Sequence, residues 1–372
     1  MTDREAYIAL NMIEGLGPIK VRALIDALGS PQAVFDPGQS DLRQAKGVGH
    51  KLSEAILTQR AQIDPQAELE KAEELGVHII TPLDTEYPDA LKTIHDPPLA
   101  LYVRGAFEPG DRHALAIVGA RKCTHYGLST ADRLAYQLSQ TGFTVVSGLA
   151  RGIDTAAHQG VLKARGRTIA VLGAAIDQLY PPENAELADA IAQSGAVISE
   201  YPFGRPADRQ TFPYRNRIVS GLSMGVVVVE SGGKGGSLHT VDAAAEQGRS
   251  VFAVPGRIDS PASKGTNRLI KNGAKLVDNV DDILEEFELL VPPGQFEKPQ
   301  NAASARPEVP LSDAEQELVK ALWEEALDVD SLARAAGLPS FKVSALLVGL
   351  EMKRVVKMLP GRIVELADDL RG

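Results

Sequence analysis

The stretch Ala114-Leu115-Ala116-Ile117-Val118-Gly119-Ala120-Arg121 decides how the chain is read. Five apolar residues run into a glycine turn without polar alternation, the mark of a strand covered on both faces. The pattern recurs at Thr144–Val146, Thr168–Leu172, Ala196–Ile198, Gly225–Val229 and Ser250–Val254. Helical spacings separate these runs at Leu128–Gln140, Asp154–Ala164, Glu183–Gln193 and Leu238–Gln247. Buried strands alternating with helices predict an α/β domain, an extended Rossmann-like doubly wound sheet. Ligands of such sheets bind beyond the C-terminal strand ends. There the sequence places Gly119-Ala120-Arg121, Ser147–Gly152, Gly173, Glu200, Glu230–Gly233 and Pro255-Gly256, which are expected to converge on one rim.

Before this domain, residues 77–110 hold strand-like pieces at Val77–Ile80 and Leu99–Val103, broken by prolines. They read as a connector docked on the sheet, so the central domain is placed at 77–290. Residues 1–76 read as a helical domain. Ile13-Glu14-Gly15-Leu16-Gly17-Pro18-Ile19-Lys20 and Ala45-Lys46-Gly47-Val48-Gly49-His50-Lys51-Leu52 each put a glycine turn before an amphipathic helix. This resembles a helix-hairpin-helix/SAM-like module whose turn amides hold a DNA phosphate. A small helical bundle that uses glycine only for its turns fits equally. Residues 291–310, rich in Pro, Ala and polar residues, read as a linker.

Residues 311–372 form the last predicted domain. A helix from Leu311 to about Trp323, capped by Ser312, precedes helices at Val329–Ala336 and Ser340–Met352. Val355–Leu359 and Arg362–Leu366 then flank Pro360-Gly361 as a hairpin, completing a winged-helix order. Lys342, Lys353, Arg354, Lys357 and Arg362 suggest a positive face. It suits DNA backbone contact and protein docking alike.

Composition bounds the rest. The chain has 372 residues, net charge −10, seven histidines and one cysteine, Cys123. A lone cysteine excludes an internal disulfide and a Cys-based metal site, and points to a reducing cytoplasm. The N-terminus lacks the order of a secretory signal, and no apolar run is long enough to span a membrane. The negative charge is unevenly spread: residues 111–280 carry 19 basic and 14 acidic side chains, and residues 205–275 carry 11 and 5. Local sign governs attraction at contact distance, so an anionic partner of the central domain remains open.

That first strand ends in one glycine and an arginine rather than Gly-x-Gly-x-x-Gly. No Walker-type Gly-Lys-Ser/Thr and no metal-spaced histidine pair follow, so neither a nucleotide cofactor nor a metal is expected. Gly235-Gly236-Ser237 opens a helix whose amides suit an anion. The richest stretch is Thr211-Phe212-Pro213-Tyr214-Arg215-Asn216-Arg217. Phe212 offers a flat face for a base, Arg215 and Arg217 offer forked donors for phosphate, and Asn216 offers donor and acceptor. Arg209 lies three residues before the aromatic. An ion pair of one arginine with Glu200 or Glu230 is the alternative use of these side chains.

Taken in order, Ile117–Arg121, Ser147–Asp154, Ser199-Glu200-Tyr201-Pro202, Phe212-Pro213-x-Arg215-Asn216-Arg217, Glu230 with Gly235-Gly236-Ser237, Val254-Pro255-Gly256 and Gly265-Thr266-Asn267 resemble the DNA-processing protein A (DprA/Smf) family. The resemblance implies a homodimeric, non-enzymatic protein that binds single-stranded DNA entering during natural transformation. It further implies protection of that strand and help in loading the recombinase RecA past single-strand-binding protein. The implied DNA-binding set is Gly119, Arg121, Ser147, Gly148, Arg209, Phe212, Arg215, Asn216, Arg217, Gly235, Gly236, Ser237, Lys264 and Asn267, with Asp154 and Glu200 structural. Ala120 and Arg209 stand where many members have Ser and some have Lys.

Two other classes stand beside this. Ser231-Gly232-Gly233-Lys234-Gly235-Gly236 resembles the loop of nucleoside-monophosphate phosphoribohydrolases, but His239 occupies the place of their carboxylate. A transcription regulator led by the winged helix would need base-reading side chains, and Lys342, Ser344 and Lys353 offer few.

Overall fold

The computed structural model describes residues 1–233, 235–287, 311–323, 326–353, 355–359 and 363–366. Residues 1–287 belong to one compact unit and 311–366 to a second. In the first, five helices lead: α1 (Asp3–Met12), α2 (Pro18–Leu28), α3 (Gln39–Leu42), α4 (His50–Arg60) and α5 (Pro65–Glu74). Thr2 and Glu5 cap α1 reciprocally, and Asp64 caps α5 ahead of Pro65. Leu10, Leu24, Leu42 and Ile56 form a small core among these helices.

The rest of this unit is one nine-stranded sheet. Its strands are β1 (His78–Ile80), β2 (Leu101–Gly105), β3 (Ala114–Val118), β4 (Thr144–Ser147), β5 (Thr168–Val171), β6 (Ala196–Ser199), β7 (Gly225–Val228), β8 (Ser250–Ala253) and β9 (Lys275–Leu276). They lie in the order β1-β2-β6-β5-β4-β3-β7-β8-β9. The strands from β6 to β9 pair in parallel, as expected of a doubly wound sheet. The connector pieces are part of it: β2 pairs antiparallel to β6, and β1 antiparallel to β2.

Helices cover both faces: α6 (Asp89–Lys92), α7 (His125–Gln140), α8 (Ile153–Lys163), α9 (Ala185–Ser194), α10 (Thr211–Gly221), α11 (Gly236–Glu246), α12 (Lys264–Lys271) and α13 (Asp281–Phe287). Successive β3 side chains divide between the faces, as a period of two requires. Leu115 and Ile117 pack with Leu134, Leu138 and Val161 of α7 and α8. Ala114, Ala116 and Val118 pack with Ile218 and Val219 of α10. The sequence suggested no helix over Thr211–Gly221. Asp208 starts it by accepting from the amides of Gln210 (2.7 Å) and Thr211 (2.8 Å), and Pro213 falls in the first turn, where its missing N–H costs nothing.

The second unit contains α14 (Asp313–Ala321), β10 (Leu327–Asp328), α15 (Val329–Ala335), α16 (Ser340–Met352), β11 (Val356–Leu359) and β12 (Ile363–Leu366), a winged helix with sheet order β10-β12-β11. Ser312 and Glu315 cap α14 reciprocally. Of the residues expected on its positive face, Lys342 and Lys357 are exposed. Lys353 is held by Glu315 at 2.8 Å, while the linker 291–310, Arg354, Pro360-Gly361 and Arg362 lie outside the described residues. The outer side of α16 also exposes Phe341 (78%) and Val348 (59%).

Candidate nucleic-acid interface

Loops from the C-terminal ends of β3, β4 and β7 enclose a cavity of about 820 Å³, within the range of small-molecule sites. It lies at the switch point, where the chain leaves β3 toward β4 on one side and returns to β7 on the other. The loop after β3 supplies Gly119, Ala120, Arg121 and Lys122; β4 leads to Gly148 and Ala150. The start of α10 and its approach supply Arg209, Phe212, Arg215 and Asn216, and the start of α11 supplies Gly235, Gly236, Ser237 and His239. Arg121, Lys122 and Arg209 are exposed, and so are Gly235 and Gly236 at the amide end of α11. Cations and the amide end of a helix around one cavity make an anion site.

The guanidinium of Arg121 lies over the ring of Phe212, 4.6 Å from its centre. Tyr180 approaches the same ring at 5.7 Å and 56°. Gly173, at the end of β5, leaves the ring its room: a Cβ there would stand 2.7 Å from Phe212 Cδ1.

Beneath the rim the polar groups serve the protein. Arg215 is 3% exposed and donates from Nη1 to Gly148 O at 2.8 Å. Burial pulls its pKa down to about 10, against the opposing charge of Asp154. Burial pushes Asp154 up to about 6, and Arg215 together with the amides of Ala150 and Gly148 offsets part of that rise. Asn216 donates from Nδ2 to Gly236 O at 2.9 Å, tying α10 to the start of α11. Both carboxylates on the described lining are engaged, Asp154 with backbone amides and Asp208 at the head of α10.

Four residues of the sequence-derived set do not reach the cavity. Ser147 is fully buried and donates to Ile117 O at 2.6 Å, tying β4 to β3. Arg217 is 6% exposed, bonds Glu200 Oε2 at 2.5 Å and stacks on Tyr214 at 4.2 Å. Asp96 Oδ2 stands 3.0 Å from its Nε, a charge contact too poorly aligned for a hydrogen bond. Asn267 spends its amide on both backbone groups of Gly256, at 2.9 and 3.2 Å. Lys264 is exposed but does not line the cavity, nor do Pro255, Gly256 and Glu200, expected on the same rim. Conversely Lys122, Tyr180 and His239 do line it. Lys122 follows Arg121 directly and was within reach of sequence reasoning, whereas only the fold brings Tyr180 to Phe212.

The first glycine turn, residues 13–20, lines a separate cavity of about 590 Å³ whose opposite wall carries Asp96 and Glu200. Glu14, Lys20 and Arg205 also line it, Arg205 meeting Glu14 at 3.5 Å while Asp96 and Glu200 hold Arg217, so the cavity carries both signs.

A model of the DNA recombination-mediator protein A family matches residues 78–288, and a model of the DprA winged helix domain matches residues 302–362. Over 97% of its length the chain is 33% identical to Protein Smf of Synechocystis, covering 98% of that protein. It is 42% identical to the DNA processing protein DprA of Bacillus subtilis, over 58% of this chain and 72% of the relative. The X-ray structure of DNA processing protein A from Streptococcus pneumoniae superposes with TM-score 0.67 and 35% identity, covering 77% of this chain and 98% of that one. DNA processing protein A from Helicobacter pylori, whose structure describes a single-stranded DNA binding mode, matches with TM-score 0.52 and 29% identity, over 58% and 98% of the two chains.

Proposed function

Because the chain belongs to the DNA recombination-mediator protein A family, we propose that its 820 Å³ cavity binds single-stranded DNA. The observation that carries this reading is the stack of Arg121 on Phe212 beside the exposed amide end of α11. A strand needs a flat apolar face for a base and cations spaced along its backbone, and these elements combine the two. Arg121, Lys122 and Arg209 with the amides of Gly235 and Gly236 take phosphates, and Phe212 takes a base. Arg215, Asn216 and Gly148 form the floor that holds these groups apart. Ser147, Arg217 and Asn267 keep the surrounding loops in place, and Lys264 stands exposed beside Gly233, at the outer edge of the loop that leads to α11.

On this reading the protein is a binder and not an enzyme. The carboxylates lining the cavity hold backbone, and His239 stands where a phosphoribohydrolase would carry a catalytic carboxylate. Its role in the cell is to shield strands taken up in natural transformation and to help RecA displace single-strand-binding protein from them. The protein acts as a homodimer, for which the short strand β9, at the edge of the sheet among the described residues and with Leu276 43% exposed, is the candidate side. The apolar outer side of α16 favours a protein partner for the winged helix over the groove of a duplex. None of the helices formed by the described residues is long and apolar enough to cross a membrane, and we place the protein in the cytoplasm.

Fluorescence anisotropy with labelled oligothymidine, with matched duplex as competitor, tests the reading. Wild type prefers the single strand and Arg121→Ala loses that preference. Equal binding by the two chains would move the function out of this cavity.

A further inference from the structure

Arg121 and Lys122 sit on a short loop, and long cations on a short loop bind well only where the loop is already ordered. Glu230, two residues beyond β7 and 2% exposed, holds that loop at both ends. At the near end the amide of Ala120 donates to the backbone oxygen of Glu230 at 2.8 Å. At the far end its carboxylate receives the amide of Thr124 on Oε2 at 2.9 Å and the Thr124 hydroxyl on Oε1 at 2.6 Å. Thr124 Oγ1 also accepts from the amide of Gly127 at 3.2 Å, capping α7. Gly127 makes way for this contact, since a Cβ there would stand 2.6 Å from the carboxylate.

The carboxylate is therefore spent on an amide and a hydroxyl, and the arginine and lysine between its two anchors keep their charge. Among the described residues neither Arg121 nor Lys122 pairs with a carboxylate. The residue after Glu230 extends the hub. The amide of Ser231 donates to Ala262 O at 2.9 Å, its own oxygen accepts from Gly265 N at 2.7 Å, and its hydroxyl receives Ser237 Oγ at 3.3 Å.

We propose that Glu230 is a positioning residue for strand binding, holding the Arg121–Lys122 loop toward the cavity through Thr124. The proposal rests on the single-strand reading of that cavity. An ionised carboxylate accepts both Thr124 donors at once. A glutamine offers one acceptor oxygen to the same pair, and its amide hydrogens oppose the Thr124 N–H. Releasing the clasp leaves the cations in the chain but makes the strand supply the cost of ordering them.

The test uses the full chain, labelled oligothymidine and a salt series, with thermal unfolding measured beside it. Glu230→Gln and Thr124→Val each weaken binding about tenfold, the loss of roughly one charge-assisted phosphate contact. Each also makes the dependence on salt shallower. Thr124→Ser keeps the hydroxyl and recovers most of the affinity that Thr124→Val loses. Combined with Arg121→Ala, Thr124→Val costs less than it does alone, because the cation it presents is already gone. If Glu230→Gln proves too unstable to purify, the valine and serine variants at Thr124 carry the test. Wild-type affinity and salt slope in Thr124→Val, or a full multiplicative loss in the double variant, overturns the proposal while leaving the strand reading intact. A wild-type chain that binds no single strand, or Arg121→Ala binding as wild type, overturns both.

Discussion

Phe212→Ala separates the two kinds of contact that the cavity combines. The ring touches Arg121 at 4.6 Å and Tyr180 at 5.7 Å, and it rests where Gly173 leaves room. Losing a base platform costs about 1–3 kcal/mol, roughly 5- to 150-fold in affinity. No charge is removed, so the slope of log affinity against log salt stays near wild type. Arg121→Ala acts on the slope, which falls by about 0.7 for one phosphate contact on a single strand. The stack couples the two residues. A cation that is itself exposed, as Arg121 is, gains about 0.5–1 kcal/mol over a ring, so the losses overlap by about that much in the double variant. Anisotropy over a salt series, with labelled oligothymidine and all four chains, reads both quantities. The reasoning fails if Phe212→Ala flattens the slope as much as Arg121→Ala, or leaves affinity within about twofold of wild type.

Gly173→Ala puts a methyl 2.7 Å from Phe212 Cδ1 and displaces the ring, so it weakens strand binding, though less than Phe212→Ala, with the salt slope again unchanged. Arg215→Met removes the bond to Gly148 O and the positive charge that offsets the burial of Asp154, and destabilises the fold by about 1–3 kcal/mol near pH 8. Because Asp154 protonates near pH 6, urea unfolding at pH 5 shows a smaller deficit; equal deficits at both pH values would sink the electrostatic coupling. Burial holds His158 at about 3, below its ordinary 6.5, so between those values the folded chain binds fewer protons than the unfolded one. Its contribution to stability is whole above pH 6.5 and declines as pH falls toward 3, and urea unfolding of His158→Gln shows a flatter decline. Lys353 and Ser312 hold Glu315 down at about 2, so its stabilising contribution is complete above pH 4.5 and is lost as pH falls through 2. Lys353→Met moves that loss to higher pH, followed by the emission of Trp323, the chain's one tryptophan, just beyond α14.

Every parallel strand of the central domain except β9 was legible as a run of apolar residues, and β3 to its last residue, because burial on both faces leaves a continuous signal. The pairing of β1 and β2 was not, since His78–Ile80 and Leu101–Gly105 are short, lie among prolines and are fixed only by the partner β6. Helix α10 was missed for the opposite reason. Residues 215–221 are buried all round, so no stripe of one-sided burial marks them as helical. That burial also explains the site. Arg121, Arg209 and Phe212 do line the cavity, and local composition pointed to them. Arg215 and Arg217 looked equally suitable. Glu200 was expected to take one arginine, and it takes Arg217. Which of the two it holds depends on the turn of α10, a helix that the pattern of residues did not reveal.

The place of β3 between β4 and β7 has a consequence for biosynthesis. As the chain emerges, β3, β4, β5 and β6 assemble in order of synthesis on one flank, and the Arg121 loop exists as soon as they do. Its clasp and the amide end of α11 do not, because Glu230 and Gly236 arrive with β7 and the helix after it, on the other flank. A nascent chain stalled near residue 223 therefore carries Arg121, Arg209 and Phe212 but neither the clasp on the arginine loop nor the helix start at Gly236. Such an intermediate holds the aromatic platform without its full phosphate wall, and the site is complete only once the second half of the sheet has joined the first.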